Sequence, residues 1–154
     1  MSSVVDPIDA IMTVMERAFD PAFGEAWNRR QVSDALVLSN TYYLLADASG
    51  RAPADPSEAV AFLLSRHAAD EEELLLLAVA PDMRRRGVAA ALIARFATEA
   101  ASRGIARLFL QMREGNQAEA LYRAVGFSPI GRRREYYRGP DGNRIDAITF
   151  ARPV

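Results

Sequence analysis

The chain contains no cysteine and one histidine, His67. The lack of thiols excludes disulfides, a thiolate nucleophile and Cys-based metal sites. A single imidazole argues against a Ser-His-Asp triad and against a zinc centre built from several histidines. Charge of neither sign dominates: 19 basic against 20 acidic residues leave a net charge of −1. That balance argues against wholesale nucleic-acid binding. No apolar run reaches the length of a membrane span. The N-terminus lacks the basic region and long apolar run of a secretory signal, so the cytoplasm is the expected location. There are no internal repeats and no low-complexity tails. What remains is 154 residues, half hydrophobic and a quarter charged. That is enough for one domain, 1–154, with a sizeable core.

The pattern along the chain alternates between helical and strand periods. Asp6-Pro7 reads as an N-cap with proline at the first helical position. Ile8, Ile11, Met12, Met15 and Phe19 then recur at helical spacing, with Met12 and Met15 as core, and Asp20-Pro21 closes the helix. A second helix is expected from about Glu25 to Ser39, on Trp27, Val32, Leu36 and Val37. Strands are expected at Thr41–Ala46, Ala59–Ser65 and Leu74–Ala80, with Asp70–Glu73 as an acidic turn. The third has no polar alternation, which suits a strand covered on both faces. A helix over Val88–Arg103 follows, its residues Arg95, Thr98, Glu99 and Ser102 outward and Gly104 as its cap. Then come a strand at Ile105–Met112, a short helix at Asn116–Val125 and two strands near Ile130–Tyr137 and Ile145–Ala151. A Gly139-Pro140-Asp141-Gly142 turn joins the last two. The order predicts an α/β chain: a mixed sheet with helices on both faces.

The most informative stretch is Leu74 to Phe96. It reads as a buried strand, a tight basic loop and an Ala-rich helix. Arg84-Arg85-Arg86-Gly87-Val88-Ala89 places three cations and a glycine at the helix start. Such a loop gathers backbone N–H groups, the positive end of a helix dipole and side-chain charge around a phosphorylated ligand. The bland alternative is a solvated basic turn.

This loop and its setting resemble the GNAT acetyltransferase superfamily. Arg84-x-x-Gly87-x-Ala89 matches that family's acetyl-CoA motif, (Gln/Arg)-x-x-Gly-x-(Gly/Ala), at every defined position. The second signature is present as Asn116 and Leu121-Tyr122-Arg123-Ala124-Val125-Gly126-Phe127. Arg133-Arg134-Glu135-Tyr136-Tyr137, Asp141-Gly142 and Asp146-Ala147-Ile148 resemble the tail of the RimI-like enzymes, which acetylate the N-terminal alanine of a ribosomal protein. Phe19-Asp20-Pro21 and Trp27 are similar to the Phe-x-x-x-Trp region of their first loop.

The resemblance implies the GNAT fold and acetyl-CoA as co-substrate, with no metal. It implies that Arg84, Arg85, Arg86, Gly87, Val88 and Ala89 cradle the pyrophosphate, and that the backbone of Leu77, Ala78 and Val79 splays to hold the pantetheine. Asn116 is a helix N-cap, a pantetheine contact, or both. Tyr122 matches the general acid; a phenol of pKa about 10 can protonate a departing thiolate. Its other reading is a core tyrosine, since 118, 121, 122 and 125 share a face. Tyr136 and Tyr137, flanked by Arg132, Arg133, Arg134 and Arg138, either wall the acceptor cleft or decorate a solvated strand edge. One departure stands out. Where RimI-like enzymes carry a Glu as general base, this chain has Gln111, and an amide cannot take a proton. Glu72, Glu73 and Glu114 could act through water, but each also reads as a surface carboxylate.

The missing base bears on the acceptor. An α-amine of pKa about 7.7–8 is roughly a tenth neutral at pH 7, whereas a lysine amine at about 10.4 is neutral less than about one part in a thousand. A site without a strong base suits a protein N-terminus better than a lysine. The expected activity is acetyl transfer to a protein N-terminal amine. A small-molecule amine, or an acyl-CoA-binding module weakened in catalysis, are the alternatives. No nucleic-acid or membrane partner is expected, and the chain is expected to be a monomer or homodimer.

Overall fold

The computed structural model describes residues 6–19, 26–139 and 141–154. Helix α1 runs Pro7–Ala18, started by Asp6, whose side chain accepts from the Ile8 N–H. It buries Ala10, Ile11, Val14 and Met15 on one stripe. Asp20, Pro21 and Glu25, the boundaries expected for the first two helices, lie outside the described residues. Helix α2 spans Arg29–Val37, shorter than its apolar pattern suggested. Asn28 and Gln31 form a reciprocal capping box there, which fixes the start after Trp27. Trp27 instead packs beneath the helix pair as a partly buried side chain.

Six strands form one mixed sheet: β1 Thr41–Ala46, β2 Ala61–Ala68, β3 Glu71–Val79, β4 Arg107–Arg113, β5 Ser128–Arg138 and β6 Arg144–Pro153. The spatial order is β1-β2-β3-β4-β6-β5. Only β3 and β4 run parallel; the other neighbours are antiparallel. Helix α3, Val88–Ser102, supplies the crossover between them, and α4, Glu119–Ala124, precedes β5. The expected helix at Asn116–Val125 is thus shorter, because Asn116 and Gln117 form the turn that leads into it.

Both faces of the sheet are covered. Leu63, Leu74, Leu108, Leu110, Met112, Ile148 and Phe150 pack under Leu92, Ile93 and Phe96 of α3 and Tyr122 of α4. Leu45, Phe62, Leu64 and Ala78 pack under Ile11, Val14 and Met15 of α1 and Val32 of α2. Among the described residues no helix is long and apolar enough to cross a membrane.

The acidic turn expected at Asp70–Glu73 is corrected by the sheet. Glu71, Glu72 and Glu73 open β3, and the turn lies at Ala69 and Asp70. Strand alternation separates the three carboxylates. Glu71 pairs with Arg107 and Glu73 with Arg66. Glu72 points inward and is fully buried, bound by the Ser65 hydroxyl and the Arg103 guanidinium. It is no surface carboxylate. Arg103 caps α3 and lies 3.9 Å over the Tyr42 ring, so this cluster pins the C-terminal end of α3 to the sheet. Arg95, expected outward, is half-buried and donates to the Leu45 carbonyl at 2.9 Å.

Candidate active site

The parallel pair β3–β4 opens midway. Glu71–Leu74 pair with Arg107–Leu110, and there the pairing stops. Beyond it β3 stays on β2 as far as Val79, and β4 stays on β6 as far as Arg113. The two strands therefore splay. The cause is local: Leu64 pairs with Leu76 and Ser65 with Leu74, which leaves Leu75 as an extra residue in β3. Such a bulge bends its strand and ends a ladder. The result is a slot between Leu75–Val79 and Gln111–Arg113, edged by backbone that an extended ligand can join as a strand would.

At the mouth of this slot lies the basic loop. A single 3-10 turn, Pro81–Met83, leads to Arg84, whose guanidinium donates to the carbonyls of Val79 at 3.2 Å and Ala18 at 2.7 Å. The first cation of the motif thus ties the loop to the ends of β3 and α1. Arg85 and Arg86 are exposed. Arg85 (φ 64°) and Gly87 (φ 81°) both adopt left-handed backbone. Gly87 supplies that conformation without a Cβ penalty, and a Cβ there would meet nothing within 4 Å, so the space above it is open. Among the described residues no group accepts a hydrogen bond from the N–H of Arg85, Arg86, Gly87, Val88, Ala89 or Ala90. Six successive donors at the positive end of a 15-residue helix make an anion cradle. Val88 and Ala89 contribute their N–H groups to this set; the Val88 side chain is in the core.

Gln111 and Tyr122 lie on opposite faces of the sheet. Leu110 and Met112 pack on the α3 side of β4, so Gln111 between them points to the other side. Its Oε1 is buried and has no hydrogen-bond partner among the described residues. Tyr122 belongs to the α3-side core and meets Phe127 edge-on, with centroids 5.8 Å apart. Groups on opposite faces of a sheet meet one ligand only through a gap, and the splay is that gap. The Asn116 side chain accepts from the Ala118 N–H at 2.9 Å in the turn before α4; the N-cap of that helix is Ala118, so Asn116 is not the cap expected of it. The alternative carboxylates are committed elsewhere: Glu73 to Arg66, Glu72 to the buried cluster and Glu114 to Arg132.

The far side of the slot is built by β5 and β6. Tyr136 and Tyr137 meet edge-on with centroids 5.0 Å apart, and the Arg133 guanidinium lies 5.4 Å over Tyr136. Tyr137 pairs with Ile145, in phase with the Thr149 that faces Gln111. Tyr137 therefore lies on the same sheet face as Gln111. Between Arg133↔Ala147 and Tyr137↔Ile145, three residues of β5 oppose Asp146 alone. Asp146 accepts from the Glu135 N–H at 2.8 Å and from Arg132 at 2.6 Å. Arg132 also grips Glu114 with both terminal nitrogens, at 3.0 and 3.1 Å. The Glu135 N–H, then Arg132, hold the Asp146 carboxyl below the usual carboxylate range. Glu114, then Asp146, hold Arg132 above its usual value. An open pocket of about 560 Å³ lies here, lined by Arg132, Arg134, Glu135 and Asp146. Sequence reading missed this group because its members come from β5, β6 and the turn after β4, 14 and 18 residues apart.

The model of the acetyltransferase (GNAT) family matches residues 9–127. The chain belongs to that family. The ribosomal protein bS18-alanine N-acetyltransferase of Escherichia coli K12 is 41% identical over 95 residues, 61% of this chain and 64% of that protein. The chain thus aligns with just under two-thirds of the length of the curated relatives it matches. The crystal structure of the Escherichia coli ribosomal-protein-S18-alanine N-acetyltransferase superposes with a TM-score of 0.79 at 30% identity, covering 99% of this chain and 92% of that one. An Arabidopsis thaliana protein in complex with acetyl-CoA shares the fold, with a TM-score of 0.73 at 17% identity over 99% and 97% of the two chains. The GNAT fold expected from the two motifs is therefore present.

Proposed function

We propose that this chain is a single-domain, acetyl-CoA-dependent N-acetyltransferase whose acceptor is the N-terminal α-amine of a protein. The observation that carries the reading is the splay between β3 and β4, set beside six unclaimed backbone donors, with Gln111 and Tyr122 on opposite faces of the sheet. Likeness to alanine N-acetyltransferases acting on a ribosomal protein supports the acceptor class, and with it a cytoplasmic setting for the reaction.

Acetyl-CoA, when bound, supplies an acetyl group activated as a thioester. The N–H groups from Arg85 to Ala90, with the Arg85 and Arg86 guanidinium groups, hold its pyrophosphate. The β3 edge at Leu77, Ala78 and Val79 lines the pantetheine, with Asn116 at the opposite wall. Those groups suit the ligand because each is a donor, a cation or an open backbone edge. Gln111 accepts a hydrogen bond from the incoming amine and orients it; it takes no proton. The amine therefore reacts from its neutral form, which a protein N-terminus populates about a hundredfold or more beyond a lysine at pH 7. Tyr122 donates its phenolic proton to the departing sulfur, and the proton that the attacking nitrogen sheds as the amide forms passes to water and restores the phenol.

The test is steady-state turnover with an Ala-initiated peptide, an ε-amine peptide and a panel of small amines. The chain has no lysine, so acetyl-lysine in the reaction reports only the added acceptor. Transfer confined to the α-amine peptide supports the proposal. Transfer confined to small amines gives the site to a metabolite amine. Tight acetyl-CoA binding without transfer leaves a binding module. Tyr122→Phe is expected to lower kcat about a hundredfold at unchanged acetyl-CoA affinity, the lower end for a general acid. An unchanged kcat would remove Tyr122 from the chemistry.

A further inference from the structure

The charged group at the β5 bulge is not a set of independent surface pairs. Asp146 sits at its centre and touches three separate pieces of chain. Its carbonyl accepts from the Glu114 N–H at 2.8 Å, where β4 ends. Its Oδ1 accepts from the Glu135 N–H at the tip of the bulge. Its Oδ2 accepts from Arg132, which is itself held by Glu114. The bulge needs such a hold. Glu135 sits at φ 55°, left-handed backbone that L-residues disfavour. Three residues there have lost their ladder partners on β6. Tyr136, half exposed, comes directly after Glu135.

We infer that Asp146 and Arg132 are positioning residues: they lock the bulge so that Tyr136 and Tyr137 read the acceptor beyond its first residue. This rests on the α-amine reading above. The register sets which part of the acceptor is read. From Thr149, beside Gln111, to Ile145, beside Tyr137, β6 advances four residues, about 13 Å. Two strand spacings of about 4.8 Å separate β4 from β5. An amine held at Gln111 is thus too far from the tyrosine pair to be its contact. An extended acceptor covers about 3.3 Å per residue, so its following residues bridge the interval. Because the Asp146 carboxyl is held below the usual range, the lock persists to acid and fails only as pH falls through that lowered value.

Acceptor length separates this role from a structural one. Asp146→Ala should raise the KM of an Ala-initiated hexapeptide about tenfold. It should leave the KM of alanine amide, the KM of acetyl-CoA and both kcat values within about twofold. Asp146→Asn keeps an acceptor for the Glu135 N–H and should lose about threefold on the hexapeptide alone. Faster amide exchange at Glu135 in Asp146→Ala reports the released bulge directly. Equal losses on both acceptors, or no loss on either, would overturn the inference. If Asp146→Ala does not fold, Asp146→Asn and Arg132→Lys carry the same length comparison. If the wild type acetylates neither α-amine acceptor, the activity proposal falls and takes the acceptor role with it; slow exchange at Glu135 that Asp146→Ala leaves unchanged would overturn the lock alone.

Discussion

The two ends of helix α3 carry the same residue type in opposite states. At the C-terminal end Arg103 has its charge met inside the protein: Glu72 accepts from its Nη2, Tyr42 lies under its guanidinium and Ser65 completes the buried carboxylate, while its buried Nε has no partner among the described residues. At the N-terminal end Arg85 and Arg86 stand exposed above six backbone N–H groups that no described residue claims. A charge-paired cluster is architecture, because its opposite charges meet inside the protein. An unsatisfied cluster of ordered donors is a site, because its complement must come from elsewhere. Gln111, on the β4 side of the slot, has a buried Oε1 without a partner among the described residues.

Removing one member from each end should break this comparison in different currencies. The largest effect belongs to the closed end. Arg103→Ala strands the fully buried Glu72 and should cost about 3 kcal/mol of stability, the low end for a broken buried pair, since Arg103 keeps a quarter of its exposure. Acetyl-CoA affinity of the folded fraction should not change. Denaturant unfolding and calorimetric titration of the same variant check both halves. A loss of affinity without a loss of stability would reverse the assignment of the two ends.

At the open end, replacing Arg85 and Arg86 together by Ala should weaken acetyl-CoA binding about tenfold. The remaining dependence of affinity on salt should flatten, because exposed charge is what salt screens. Stability should move by no more than about 0.5 kcal/mol, as for surface changes elsewhere. An unchanged affinity would mean the backbone N–H groups bind alone.

Gln111→Glu is the smallest and the sharpest test. The wild-type kcat/KM should fall below about pH 8, following the α-amine itself. With a carboxylate at 111, the acid limb should move to lower pH and the rate at pH 7 should rise a few-fold. A profile identical to that of the wild type would show that the amine, not position 111, sets the protonation step in both proteins.

Much of this was legible before any coordinates. Helix α1, strand β1 and the start of α3 lie where their caps and periods put them, because those signals act over a few residues. The cradle was legible for the same reason. Arg84 to Ala89 is one loop, and Gly87 carries its conformational requirement within itself. Less legible were the three glutamates that open β3. Their local charge reads as a turn, and only pairing with Arg66, Arg103 and Arg107 from other elements makes them a strand.

The sequence by itself determined the order of elements, the anion cradle and the absence of a base at position 111, since each is a matter of residue identity or short spacing. Tertiary structure decided the rest: that a bulge at Leu75 opens the sheet, that Gln111 and Tyr122 lie on opposite faces of it, and that Asp146 binds the end of β4 to the β5 bulge. Strand register does this work. A register joins residues tens of positions apart through backbone hydrogen bonds, and every residue type makes those alike.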